Sequence, residues 1–142
     1  MNPRLTTAVV GAIILVLGLA GLLYPERMMG LLGFLIASPA HAAATLGEVR
    51  ATYGGIFVVM GIYTLLAAFE PSRHRARLLL IGLLWLGAFG GRLLGVFTDG
   101  NPGVVGWFAL VFELVIGGAL VFTAQTAEPV EPVATTAESV PA

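Results

Sequence analysis

Four long, predominantly apolar runs constrain this chain more than anything else in it. They are LTTAVVGAIILVLGLAGLLY at 5–24, a run at 43–69 that includes GGIFVVMGIYTLLAAF, RLLLIGLLWLGAFGGRLLGVF at 77–97 and VVGWFALVFELVIGGALVFTA at 104–124. Each is long enough to cross a hydrocarbon core of roughly 30 Å, which takes about 20 helical residues. Pro25 stops the first run, and Glu70-Pro71 stops the second. A soluble domain would need far more charge to cover its surface than a chain that is 58% hydrophobic and 11% charged, with a mean hydropathy of +0.96. No segment alternates polar and apolar residues at period two, and 142 residues are too few for a membrane barrel of ordinary size. The expected fold is therefore all-α: an integral membrane four-helix bundle over residues 1–125. Past it, TAEPVEPVATTAESVPA (126–142) reads as a disordered acidic cytoplasmic tail, rich in Pro, Thr, Ala and Glu without aromatics.

The first run reads as a retained helix and not as a signal peptide. Its apolar stretch is about twice a usual signal core, and the cleavage-like Ala40-His41-Ala42 lies well beyond it. Orientation follows from arginine placement. The turn PSRHRAR (71–77) carries Arg73, Arg75 and Arg77, which makes it cytoplasmic by the positive-inside rule, and Arg4 agrees. Four spans then put both termini inside, in the inner (cytoplasmic) membrane of a bacterium. The first outer connection contains PERMMGLLGFLIA, which opens on Pro as first helical turns often do, and is too short to span. It is expected as a short interfacial segment at the outer face or over the bundle mouth. The second outer connection, TDGNPG, is a tight turn.

Several function classes drop out. There is no cysteine, so no disulfide, thiolate metal site or cysteine nucleophile. A net charge of −1 leaves no footprint for nucleic acid. No catalytic constellation or phosphate loop appears, and the Gly-Gly pairs lie inside apolar spans, where they serve packing. His41, Glu48 and Asp99 near the outer rim lack any ligand spacing, so no metal or other cofactor is expected.

Charges inside the spans are the chemically informative residues: Glu48 and Arg50 in the second, Arg92 in the third and Glu113 in the fourth. An ionised group at the centre of a span costs about 2.5–3.5 kcal/mol on insertion scales, so such groups face the bundle and pair. At about 1.5 Å per residue, they lie about 6, 9, 7 and 13 Å from the outer ends of their helices. Opposite signs at similar depth predict one shared polar site, with Tyr53 and Asp99 at its edge and an arginine meeting Glu113 inside the bundle. Small residues on the same stripes predict helix seams: Gly54 with Arg50, Gly55 with Glu48, Gly87, Gly91 and Gly95 near Arg92, and Gly117 with Glu113.

These residues also carry a likeness. GEVRATYGGIFVVMGIY in the second span, GRLLGVFTDG closing the third and FELVIGG in the fourth resemble a bacterial family of four-helix membrane proteins of unknown function, the DUF4345 type. Its recurring polar positions fall here on Glu48, Arg50, Tyr53, Gly54, Gly55, Gly91, Arg92, Asp99, Gly100 and Glu113. The resemblance spans about residues 5 to 124 and implies the bundle without supplying an activity. At the level of fold the chain is also similar to DoxX-like membrane proteins, some of which are associated with redox or quinone-linked complexes. The function expected from the sequence is a non-enzymatic accessory or interaction subunit, seated in a lipid bilayer beside a membrane-protein partner or a second copy. The alternative is binding or transport of a lipid, quinone or small anion at a pocket of Arg50, Arg92 and Glu113.

Overall fold

In a computed structural model of the chain, residues 2–36, 38 and 41–127 are described. The expected tail from residue 128 onward lies outside them. Among the described residues the chain forms five helices and no strands: α1 (Pro3–Leu23), α2 (Pro25–Leu32), α3 (Ala42–Phe69), α4 (Arg75–Thr98) and α5 (Gly103–Thr126). All but α2 are long and apolar enough to cross a membrane. The helices overrun the apolar runs by up to two residues at each end, because flanking polar residues continue the backbone hydrogen bonds. Asn2 starts α1 by accepting from the backbone N–H groups of Arg4 and Leu5. Gly33, at a φ of +74°, ends α2 in the left-handed region that a β-carbon disfavours.

Two antiparallel pairs make up the bundle. α1 lies along α3, and α4 lies along α5, with thinner contacts between the pairs. The α1–α3 seam is a row of backbone contacts made possible by glycine. A β-carbon on Gly18 would sit 2.5 Å from the Val58 nitrogen, and one on Gly61 would sit 2.6 Å from that of Leu15. Gly11 meets Leu65, Gly21 meets the Tyr53 carbonyl, and Gly54 meets Leu22 in the same way. Lipid provides no hydrophobic drive for helix association, so such close approach, with its dispersion contacts, is what holds the pair.

The principal core lies toward the 70–74 turn. Val10 and Ile14 of α1, Ala67 of α3, Leu78, Ile81 and Trp85 of α4, and Ile116, Leu120 and Ala124 of α5 are buried together there. A smaller cluster caps the opposite end, where α2 folds back and packs Met28 and Met29 against Val49. The turn end is also tied by arginine. Arg75 Nε donates to the Ala124 carbonyl at 2.7 Å, satisfying an oxygen of the last turn of α5.

Within α3, residues Arg50–Ile56 form a π-helix, RATYGGI, with wider turns than the α-helix on either side. The buried positions record it, because Val49 is followed by Gly54, five residues on. Periodicity at 3.6 residues gave no warning of this segment. The Gly-Gly pair at 54–55 inside it was the one local sign.

Candidate functional site

Charge in the middle of α5 is held by α4. The two helices are joined by residues 99–102, and Glu113 sits about one turn deeper than Arg92 relative to that connection, a gap the arginine stem spans. Arg92 Nη2 donates to Glu113 Oε1 at 2.8 Å, and its Nε donates to Oε1 at 3.1 Å and Oε2 at 3.2 Å. This is a side-on fork with both carboxylate oxygens engaged. The Glu113 side chain is only 6% exposed, whereas that of Arg92 is 34% exposed. The acid is therefore sealed, and the guanidinium opens on one side. Tyr53, from the π segment of α3, is the next polar group beside the guanidinium.

The other expected members of one shared site are elsewhere. Arg50 is exposed and faces the α1–α2 junction, in a groove with Leu23, Tyr24, Pro25, Glu26 and Arg27. Its expected stripe with Gly54 assumed α-helical spacing, and the π-helix changes that register. Glu48 is exposed on the turn before it, and Asp99 is exposed in the α4–α5 connection. Neither has a hydrogen-bonded or ionic side-chain partner among the described residues. His41 bonds to Ser38 at 2.8 Å, and among the described residues no three acidic or imidazole side chains gather.

The expected seam glycines divide as well. Gly54 and Gly117 are pressed against neighbouring helices, Gly117 against the Gly82 carbonyl and Leu86. Gly55, Gly87, Gly91 and Gly95 are not. A β-carbon on Gly87 or Gly91 would meet nothing within 4 Å, and on Gly55 or Gly95 it would meet only an atom of its own helix. The α4–α5 contact passes through Gly82, nearer the turn, which the sequence reading left out although it lies one helical row along from Leu78 and Leu86. Beyond Trp85, no residue of α4 is fully buried.

Aromatic rings run through the bundle from its α2 end. Phe34, Tyr53, Phe57, Trp85 and Phe112 are in sequence at centroid distances of 5.9, 5.8, 4.9 and 5.5 Å. The Phe57–Trp85 and Trp85–Phe112 pairs are edge-to-face, an arrangement that stabilises by about 0.5–1.5 kcal/mol per pair beyond area burial. Trp85, 4% exposed, has an indole N–H with no acceptor. By contrast, Trp107 donates to Asn101 Oδ1 at 3.1 Å. A buried donor without a partner loses the desolvation free energy of that group, about 1–3 kcal/mol.

The family model that matches the chain, over residues 3–124, is described as a domain of unknown function, DUF4345. No curated protein and no solved structure matches it.

Proposed function

The chain belongs to the DUF4345 family of unknown function, and from that premise we propose a multi-pass membrane protein acting as a non-enzymatic accessory subunit, joined to its partner through α4. One observation carries this reading. From Gly87 to Gly91, α4 presents exposed glycines with open space at three positions, Gly87, Gly90 and Gly91, while the fully buried glycines of the α1–α3 and α4–α5 seams are pressed against a neighbouring helix. In a bilayer, small residues are where a second helix can approach closely. The partner is another membrane protein or a second copy of this chain. The arginines Arg4, Arg73, Arg75 and Arg77 at one end support a bacterial inner-membrane location with both termini cytoplasmic. In this reading the Arg92–Glu113 pair fixes the register of α4 on α5.

Gentle purification from the source membrane tests the proposal. A stoichiometric partner that the Gly87→Leu/Gly91→Leu variant loses is the expected result. A solitary, monodisperse particle in several mild detergents and in native membranes would end it.

A second reading is favoured by two features of α4, the unpartnered Trp85 N–H and the one-third-exposed Arg92: binding of a lipid, quinone or small anion at the Arg92–Glu113 pair. An Arg92→Gln variant that retains a co-purified small molecule as well as the parent would sink it.

A further inference from the structure

The α1–α2 junction holds a cationic groove that the accessory role does not use. α1 ends at Leu23 after 21 residues, about 31 Å of helix, so Tyr24 to Arg27 sit at the level of a membrane boundary. The close approach of Gly21 to the Tyr53 carbonyl fixes α3 against the end of α1. Arg50, just before Tyr53 on the widened π turn, is thereby brought alongside the start of α2. The result is a groove of about 210 Å³ lined by Leu23, Tyr24, Pro25, Glu26, Arg27 and Arg50. Arg27 is held with its guanidinium carbon 5.4 Å from the centre of the Tyr24 ring, which orients it while leaving its N–H groups free.

Two guanidiniums and one carboxylate give the groove a formal charge of +1. Neither Arg27 nor Arg50 has an ion-pair or hydrogen-bonded partner among the described residues, whereas Arg92 and Arg73 pair with carboxylates and Arg75 donates to a backbone carbonyl; Arg4 and Arg77, the other arginines without such a partner, lie at the opposite end of the bundle. Two unpaired arginines from different helices lining one groove beside a tyrosine supply the donor chemistry by which guanidiniums bind phosphate oxygens.

We propose that Arg27 and Arg50 bind a phosphate group at the membrane boundary, with Glu26 weakening the site. The phosphate belongs to an anionic lipid headgroup or to a solute, and one experiment separates the two. The full chain in a neutral maltoside detergent is titrated with dioleoyl-phosphatidylglycerol and followed by native mass spectrometry, with phosphatidylcholine as reference and inorganic phosphate as competitor. The expected result is a preference for phosphatidylglycerol that falls about tenfold in Arg27→Gln/Arg50→Gln, with Arg73→Gln at the opposite end unchanged. Glu26→Gln should bind a few-fold more tightly, an increase that misfolding cannot mimic. Displacement of the lipid by millimolar inorganic phosphate supports the site with a solute as its ligand, and retention supports it with a headgroup. Equal binding by parent and double variant, or no gain in Glu26→Gln, would overturn the proposal.

Discussion

The two helix pairs of this bundle are joined by different physics. α1 and the Tyr53–Leu65 part of α3 touch through glycine, with Gly11, Gly18, Gly21, Gly54 and Gly61 each set against the opposite helix. α4 and α5 touch through glycine once, at Gly82 and Gly117, and toward their connection they are held by the Arg92–Glu113 fork. Glycine contact is short-ranged and intolerant, because any side chain pushes two backbones apart. An ion pair acts over the length of an arginine stem and leaves space around itself. The first pair therefore reads as the rigid half of the molecule, and the far end of α4, where no residue beyond Trp85 is fully buried, as the half shaped for something else.

Substitutions can break this comparison or sharpen it. The largest effect is expected for Gly18→Leu or Gly61→Leu, where the new side chain meets backbone at 2.5–2.6 Å. The loss should reach or exceed the upper end of the about 1–3 kcal/mol typical of overpacking, read as a collapse of the melting transition in detergent. A wild-type melt for either variant would mean the α1–α3 seam is not rigid.

Arg92→Gln comes next. It leaves a carboxylate almost sealed from water, but the lost partner was one-third exposed. About 2 kcal/mol is therefore expected, below the about 3–5 kcal/mol for breaking a fully buried pair. Glu113→Gln should be milder, about 1 kcal/mol, because the freed guanidinium can swing outward on its stem and the amide retains an acceptor. Melts of the two variants in one detergent rank them, and a reversed order would show that the arginine is the more confined member. The smallest effect is expected at Gly91→Leu, within about 0.5 kcal/mol for the isolated chain, because its surroundings are open. A marked loss there would place Gly91 in a seam of the chain itself.

How much of this could be read from the sequence differs between the two pairs. The spans were legible because apolar length is a one-dimensional signal. That an arginine meets Glu113 inside the bundle was legible, because a buried carboxylate has few other ways to be neutralised, but the choice of Arg92 over Arg50 came only with the structure. Arg50 was misplaced because a helical wheel assumes 100° per residue, and Arg50–Ile56 does not obey it. The glycines of α4 show a different limit. A small-residue stripe marks where a helix can be approached without saying which helix approaches, and Gly82 took the place that Gly87 and Gly91 had been assigned. The cationic groove at Arg27 was out of reach, since it depends on where α2 folds back.

The spacing of the ion pair also bears on how the protein is made. Arg92 and Glu113 are 21 residues apart, with only residues 99–102 between their helices. At a synthesis rate of about 5–20 residues per second, the carboxylate follows the arginine out of the ribosome within about 1–4 s. α4 need not persist in lipid as a lone charged helix, because α5 brings the counter-charge almost at once. The second pair is thus suited to enter the bilayer as a finished hairpin. Lengthening the 99–102 connection would delay that neutralisation, exposing a dependence on insertion timing that the folded structure conceals.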